Sequence, residues 1–419
     1  MISLIILIIV FVFIAVREIT TVRLKIFEIT LSKLKIWEIM LLGSIGVIIT
    51  QQISIKDAIY SINLEVILFL FCMFVIGVAL EESGYLEYIS FHLFKKARNK
   101  NDILLILIFV MGLLSALLMN DTIAIIGTPI VIHLARNGLN IKPLLLALAF
   151  SVTIGSLTSP IGNPQNFLIA TQLENPFINF FKYLLVPTLI NLFISYLIIK
   201  YFFKKDFIGT IDTKKLEESI RDYKLAHIAK LSIILLIVLI IFKVILGIVK
   251  PSLNLPLISI IIVSTIPVLF FSERRFEIVK KVDWHTLIFF VSMFILMQSV
   301  WNTGIFQSLI KESNINIYSI PSIFIISVIL SQFISNVPLV ILYLPLIADI
   351  GSIKEIISLA AGSTIAGNLL ILGAASNVII IHNAEKRSGI GIGFFEFAKI
   401  GIPLTIVNVL IYFIFLKLF

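Results

Sequence analysis

The sequence predicts an all-α integral membrane protein with about 11 transmembrane spans. Three observations predict this class: the composition, a chain of apolar runs and an internal repeat. Of the 419 residues, 59% are hydrophobic and 14% are charged, and the mean hydropathy is +1.11. Soluble proteins carry about 45–50% apolar and about 25% charged residues. A water-soluble protein is therefore excluded, and the cell membrane is the expected location.

Apolar runs follow one another with short loops between them. The first run has no basic residue before Arg17 and no convincing cleavage site, so it is interpreted as a retained helix and not as a signal peptide. None of the loops is long enough to fold as a soluble domain. The runs are 1–16, 36–49, 64–80, 103–119, 121–134, 143–158, 183–203, 231–249, 255–271, 286–300, 317–334, 337–348, 355–381 and 401–418.

The net charge of +9 comes from basic residues grouped in a few loops. Such grouping follows the positive-inside rule, and no basic face is long enough to track the phosphates of a nucleic acid. The lipid bilayer is therefore the expected partner, and a nucleic acid is not. The basic groups are 17–35, 95–100, Arg136 with Lys142, 204–230, 274–281 and 386–399.

All these groups face the cytoplasm only if two pairs of runs turn back inside the membrane. The sequence thus predicts re-entrant helical hairpins at 103–134 and 317–349, with Asn120-Asp121 and Ser335-Asn336 at their tips. A polar pair at membrane depth must be buried in protein or must line a wet cavity.

The chain also repeats itself. Residues 1–203 form a predicted first half, 231–419 a second half of opposite orientation, and 204–230 a cytoplasmic amphipathic linker. Inverted repeats with interrupted helices are typical of secondary transporters, whose substrates bind near the bilayer midplane. The matched positions include 63–74 with 283–294, Asn120 and Pro129 with Asn336 and Pro345, and Thr153, Gly162 and Asn166 with Thr364, Gly373 and Asn377.

Broken helices are predicted at 143–170 and 355–381. In the first, the segment 155–166 contains two glycines and two prolines within an apolar run, which makes a continuous helix improbable. Asn163 followed by Pro164 is typical of a cap and first position of a new helix. The unwound backbone exposes carbonyl oxygens that suit a cation, and the new helix presents its positive end.

Asp121 is the only acidic residue in the middle of a predicted span. A buried carboxylate costs several kcal/mol unless it is paired or protonated, so Asp121 is interpreted as either a proton carrier or a cation ligand. The candidate binding residues are Asn120, Asp121, Thr122, Ser159, Gly162, Asn163, Asn166, Ser335, Asn336, Gly373, Ser376 and Asn377. Within them, two sodium sites are expected, one at Asn120, Gly162 and Asn166 and one at Asn336, Gly373 and Asn377; no other cofactor is expected.

Other polar residues are given structural roles. Asn191 and Asn408 are expected to join helices by hydrogen bonds. Glu81, Glu82 and Glu87 are expected to be solvated, and Lys243 is expected to extend towards water.

At the segment 79–84, the two hairpin tips and the segment 159–166, the sequence resembles the ion transporter superfamily. This superfamily includes divalent anion–sodium symporters, arsenite permeases and some sodium/proton antiporters. The resemblance covers nearly the whole chain. It implies a scaffold domain and a mobile transport domain that contains both hairpins, elevator-type alternating access, and often a homodimer.

The tips depart from one branch of that superfamily. Dicarboxylate symporters carry Ser-Asn-Thr at each tip, whereas this chain has Met119-Asn120-Asp121 and Ser335-Asn336-Val337. Val337 cannot donate a hydrogen bond, and an ionised Asp121 repels a dianion. The Asn120-Asp121 tip resembles that of the arsenite permeases. This resemblance implies a secondary transporter of a small anion or an arsenite-like metalloid, coupled to protons or sodium.

A sodium/proton antiporter is the alternative, and a sodium–dicarboxylate symporter fits less well. An enzyme is not expected, because no histidine and no second carboxylate accompanies Asp121 in mid-span. A passive channel is less attractive, because interrupted inverted repeats serve alternating access.

Overall fold

The computed structural model describes residues 2–19, 35–210, 220–250, 255–305, 307–308, 316–348 and 351–418, and this part of the chain is helical without strands. The helices are α1 (Ile2–Ile19), α2 (Ile36–Ile49), α3 (Ile55–Ser61), α4 (Leu64–Ser83), α5 (Tyr85–Phe94), α6 (Lys100–Leu118), α7 (Asn120–Arg136), α8 (Ile141–Gly155), α9 (Pro164–Ala170), α10 (Pro176–Phe202), α11 (Tyr223–Val249), α12 (Leu257–Ile266), α13 (Arg275–Lys281), α14 (Trp284–Trp301), α15 (Ile320–Ile334), α16 (Asn336–Ala348), α17 (Ile353–Ile365), α18 (Ala375–Ser388) and α19 (Phe394–Leu418).

Seven helices in the described part of the chain are long and apolar enough to cross a membrane. They differ sharply in burial. In the apolar window of Ile141–Thr158, 94% of the window is buried inside the protein, whereas the figure is only 17% for that of Tyr223–Val249. A helix that is apolar all round and surrounded by protein belongs to the centre of a large bundle. The first interrupted helix is therefore central, and α11 presents its apolar side chains outward.

Side-chain caps explain where many of these helices begin. Asn63, Asn99 and Ser319 each accept a hydrogen bond from the backbone N–H three residues later. Such caps satisfy one of the free donors of the first turn. In the same way Asp222 caps α11, which starts at Tyr223 and not at 231, so part of the predicted linker is helical. Residues 211–219 of that linker and 20–34 of the first basic group lie outside the described residues.

The loops on either side of the first hairpin, formed by α6 and α7, meet at one face. Asn101 at the start of α6 donates to the carbonyl of Phe207 over 3.0 Å. Asn140, which follows α7, donates to Asp206 over 3.0 Å. The outer ends of the two arms therefore lie at the same face of the protein.

Ion pairs gather further segments at this face, which we call the basic face. Arg274 binds Glu82 (2.8 Å) and Asp222 (3.2 Å), and Arg221 binds Glu87. Together with Arg387–Glu81 and Lys142–Glu396, these contacts bring together residues 81–102, 136–142, 203–210, 220–224, 272–283 and 386–396.

A hydrogen bond between matched asparagines joins α10 to α19. Asn408 donates to the side-chain oxygen of Asn191 over 2.8 Å, and both residues are fully buried. Nearby, the hydroxyls of Thr188 and Tyr412 lie 2.6 Å apart. The predicted role of the two asparagines in joining helices is confirmed.

Two charged side chains are placed differently from the prediction. Glu87 is 7% exposed and pairs with Arg221, so the expectation that it is solvated is wrong. Lys243 is 8% exposed, and its ammonium lies 2.5 Å from the carbonyl of Leu255. It therefore satisfies a backbone acceptor inside the protein instead of extending to water.

Candidate functional site

Each hairpin tip contains one residue in a backbone conformation that favours glycine. Met119 has φ 69° and ψ 142°, and Ser335 has φ 66° and ψ 167°. A non-glycine residue in this region costs about 1–3 kcal/mol, and such residues cluster at functional sites. The two residues are matched at the same spacing of 216 that relates Asn120 to Asn336. Both sharp turns place an asparagine first in the returning arm.

The first interrupted helix comprises α8, a short 3-10 turn at Ser156–Thr158, an extended stretch and α9. As predicted, the side chain of Asn163 caps α9 by accepting from the N–H of Asn166 over 2.8 Å, and Pro164 takes the first helical position. Gly162 is required here, because a Cβ atom would lie 2.0 Å from the carbonyl oxygen of Ser156.

The second interrupted helix has the same plan. It comprises α17, 3-10 turns at Ala366–Asn368 and Ile371–Gly373, and α18. Asn377 in the first turn of α18 donates to the carbonyl of Gly367 over 2.7 Å. The amide therefore holds the unwound segment against the following helix, as Asn166 does in the first half.

Thr364 joins the two interrupted helices. Its hydroxyl lies 3.3 Å from the amide nitrogen of Asn163 and 3.2 Å from that of Gln165, and it donates to the Asn166 oxygen over 3.4 Å. The amide nitrogen of Asn120 lies 3.5 Å from the hydroxyl of Ser376. The structure thus brings the halves into one buried site.

The second tip completes this site. A Cβ atom on Gly367 would lie 3.5 Å from the amide nitrogen of Asn336 and 3.4 Å from the methyl group of Thr153. Every predicted site residue is buried except Ser335, which is half-buried.

In the first half, the predicted sodium ligands already accept hydrogen bonds. The side-chain oxygen of Asn120 accepts from the N–H of Asp121 over 2.9 Å, and the carbonyl of Gly162 accepts from the N–H of Asn120 over 2.8 Å. Asn166 donates to the carbonyls of Ser156 (3.2 Å) and Ser159 (3.1 Å). The side chains of Asn120, Asn163 and Asn166 are therefore hydrogen-bonded within the protein, whereas the buried hydroxyl of Thr122 has no partner among the described residues.

The carboxylate of Asp121 also lacks a hydrogen-bond partner within the described part of the chain. The residue is 4% exposed. Asp121 lies in the first turn of α7, where the helix dipole stabilises a negative charge. This stabilisation is typically about 0.3–1 kcal/mol and reaches about 2 kcal/mol at partly buried sites. Burying an ionised carboxylate costs several kcal/mol, which is more than the end of α7 contributes.

In the second half, buried amide oxygens lack donors. The amino group of Gln332 donates to the carbonyl of Ala366 over 2.8 Å, while its oxygen has no partner among the described residues. The side-chain oxygens of Asn336 and Asn377 likewise accept no hydrogen bond there. The side chain of Asn368, in the 3-10 turn of the same interruption, has both its amide nitrogen and its oxygen buried without partners among the described residues. This half therefore contains several unpaired acceptors and one unpaired donor.

Comparison with known proteins places the chain in a family. Residues 24–355 match the family described as citrate transporter, which is more than half of the chain. The chain belongs to the citrate transporter family. The predicted membership of the wider ion transporter superfamily is thereby confirmed, and the protein is a multi-pass membrane transporter.

Relatives of this family member cover most of its length. A 46 kDa membrane protein of Mycobacterium leprae is 28% identical over 88% of this chain and 90% of its own. A silicon efflux transporter of Oryza sativa is 26% identical over 88% of this chain and 89% of its own length. A putative transporter arsB of Dictyostelium discoideum is 25% identical over 84% of this chain and 81% of its own length.

A solved structure supports the fold of this family member. The YdaH transporter of Alcanivorax borkumensis superposes with a TM-score of 0.55 over 84% of both chains, at 12% sequence identity. At that identity the likeness concerns the fold alone.

Sequence analysis missed three polar residues at the site of this family member: Gln165, Gln332 and Thr364. Thr364 was recognised only as a repeat match to Thr153, and its contacts with the other half depend on packing that the sequence does not display. A signal existed for Gln332, since it is the only amide side chain in an arm whose other polar residues are serines, and it lies three positions before the tip residue Ser335.

Proposed function

We propose that the chain is a secondary active transporter that moves a small anion or an arsenite-like metalloid, coupled to protons or sodium by elevator-type alternating access. The observation that carries the proposal is the convergence of two matched hairpin tips on two interrupted helices, around buried acceptors without donors. Substrate and ion sites of secondary transporters lie between such elements.

Electrostatics supports a substrate that carries little charge. The residues that meet at the site are Asn120, Asp121, Gln332, Asn336 and Asn377 with the unwound backbone, and no basic side chain is among them. A carboxylate or other anion therefore needs a bound cation or proton beside it. A neutral hydroxy acid of arsenic or silicon, the elements suggested by the names of two relatives, has no such need.

The two halves are given different coupling roles. Asp121 is the proposed proton carrier, because its residue is buried and no donor among the described residues reaches its carboxylate. The oxygens of Asn336, Gln332 and Asn377 are the proposed cation ligands, because no donor in the described part of the chain occupies them. The first predicted sodium set is less suited, since its oxygens already accept hydrogen bonds.

The inverted repeat and the elevator movement belong to the same proposal. The matched conformations of Met119 and Ser335 support a relation between the halves 1–203 and 231–419, joined by 204–230. In this scheme both hairpins move with the interrupted helices against a scaffold, and a homodimer provides that scaffold.

A sodium/proton antiporter is the second candidate. The acceptors of the second half and the carboxylate of Asp121 favour it, because a cation and a proton alone would satisfy them. This candidate needs no anion or metalloid.

Proteoliposomes with a pH-sensitive dye and a sodium-sensitive dye inside test these functions. Arsenite, silicic acid, citrate or no substrate is added under a sodium or a potassium gradient. We expect proton or sodium flux that depends on one of the substrates. Exchange of sodium for protons without any substrate would establish the antiporter instead, and no flux in any arm would overturn both.

The variant Asp121→Asn tests the coupling role, with Glu174→Gln as control. Both changes replace one carboxylate by its amide, and Glu174 is exposed. Asp121→Asn is expected to fold and to abolish coupled flux, while Glu174→Gln transports normally. Full coupled activity in Asp121→Asn would remove Asp121 from the mechanism.

A further inference from the structure

A cavity of about 470 Å³ opens at the basic face, away from the hairpin tips. Its lining includes Arg136, Arg221 and Arg387 together with His133 and Glu87. Arg136 ends α7, whose first residue is Asn120 at the tip. At 1.5 Å per residue, Arg136 lies about 24 Å from Asn120 along the helix, so the cavity is separate from the site described above.

Three arginines and one glutamate leave the lining with an excess of two positive charges. Glu87 is engaged by Arg221, and Arg387 reaches Glu81 at 3.5 Å. The Arg136 side chain forms no ion pair or hydrogen bond with the described part of the chain. A concave surface lined by one sign of charge concentrates its field and attracts counter-ions.

Helix ends account for only part of this arrangement. Arg136 and Arg387 lie in the last turns of α7 and α18, where a cation is stabilised by the helix dipole. Arg221 belongs to no helix: its backbone N–H donates to the carbonyl of Ser83 over 2.9 Å, which holds it beside Glu87. The fold therefore brings a third guanidinium to the two helix ends from a separate segment.

We propose that this cavity binds an oxyanion of the phosphate type. Guanidinium groups recognise phosphate oxygens through paired N–H donors, and three of them line one concave surface here. The ligand is either free phosphate or the phosphate of an anionic lipid headgroup, because both present the same oxyanion to the guanidinium groups. Because the lining comes from α5, α7, α18 and the stretch before α11, the bound anion ties these segments together.

Thermal unfolding of the full-length purified protein tests the proposal. Inorganic phosphate is titrated in a neutral detergent, and the protein is also placed in nanodiscs of phosphatidylcholine with or without phosphatidylglycerol. A ligand that binds only the folded state raises the unfolding midpoint. We expect a saturable rise with phosphate, with phosphatidylglycerol, or with both, and the arm that responds identifies the source.

Variants test whether the rise in the unfolding midpoint comes from binding in this cavity. Arg136→Gln and Arg387→Gln should each weaken the apparent affinity for the responding ligand by about tenfold or more, the value for a lost charged hydrogen bond. Arg275→Gln removes an exposed arginine of α13 that does not line the cavity, and it should respond like the wild type.

Two results would overturn the proposal. One is the absence of any rise with phosphate or phosphatidylglycerol in the wild type. The other is a rise that persists at the same affinity in both Arg136→Gln and Arg387→Gln.

Discussion

The strained backbone at the second hairpin tip gives a quantitative prediction. At φ 66° and ψ 167°, Ser335 occupies a region that costs a non-glycine residue about 1–3 kcal/mol. Glycine removes this cost but loses about 0.5–1 kcal/mol more backbone entropy than alanine. Ser335→Gly and Ser335→Ala both lose the hydroxyl, so their difference isolates the backbone. We expect the glycine variant to be more stable than the alanine variant by about 0.5–2 kcal/mol.

Unfolding in detergent, measured by heat and by denaturant, provides the assay. The same pair of substitutions at Ser322, inside α15, is the control, where glycine should be less stable than alanine by about 0.5–1 kcal/mol. The sign of the difference should therefore reverse between the two positions. If Ser335→Gly is less stable than Ser335→Ala, the tip does not require the left-handed conformation and the reasoning fails.

Three further predictions concern packing and charge. Gly162→Ala should lower the free energy of unfolding by about 3 kcal/mol or more, because its Cβ atom would lie 2.0 Å from the carbonyl oxygen of Ser156. Gly46→Ala is the control and should not destabilise the protein, since its nearest contact would be at 3.8 Å. Equal unfolding midpoints of the two variants would contradict this reasoning. A double-mutant cycle on Asn191 and Asn408 should give a coupling of about 0.6–1.7 kcal/mol, and zero coupling would mean that their hydrogen bond is not formed. Hydrogen bonds from Arg274 and Lys281 lower the pKa of Glu277 from 4.5 to about 2, so its stabilising effect is present above pH 4.5 and is lost as the pH falls towards about 2. The unfolding midpoints of the wild type and Glu277→Gln should therefore converge on acidification, and a constant gap would contradict the assigned ion pairs.

Much of the fold follows from the order of apolar runs. The run 36–49 coincides with α2, and the segment 155–163 interrupts a helix as its glycines and prolines predict. The short helices α3, α5 and α13 were not predicted, because apolar length was the criterion and these segments are brief. Lys243 and Glu87 were misplaced because their partners, Leu255 and Arg221, are brought near by tertiary packing.

The candidate site was predictable as a set of segments but not as a network. Internal repetition identified both tips and both interruptions, since each carries polar residues within an apolar run. It did not indicate that Thr364 would contact Asn163 and Asn166 across the halves. Nor did it indicate that the two matched halves would differ, with hydrogen bonds satisfied around Asn120 and unsatisfied at Asn336. Repeats report shared backbone geometry, whereas hydrogen-bond partners depend on side chains that differ between the copies.

The buried carboxylate of Asp121 also makes the membrane voltage relevant. Moving one elementary charge through the whole potential is worth about 2.3 kcal/mol per 100 mV. A movement that carries Asp121 across this field is therefore driven or opposed by the voltage when the carboxylate is ionised. The same movement is insensitive to voltage when a proton neutralises it. Under the proposed mechanism, protonation of Asp121 would therefore decide whether the step that moves this residue generates current.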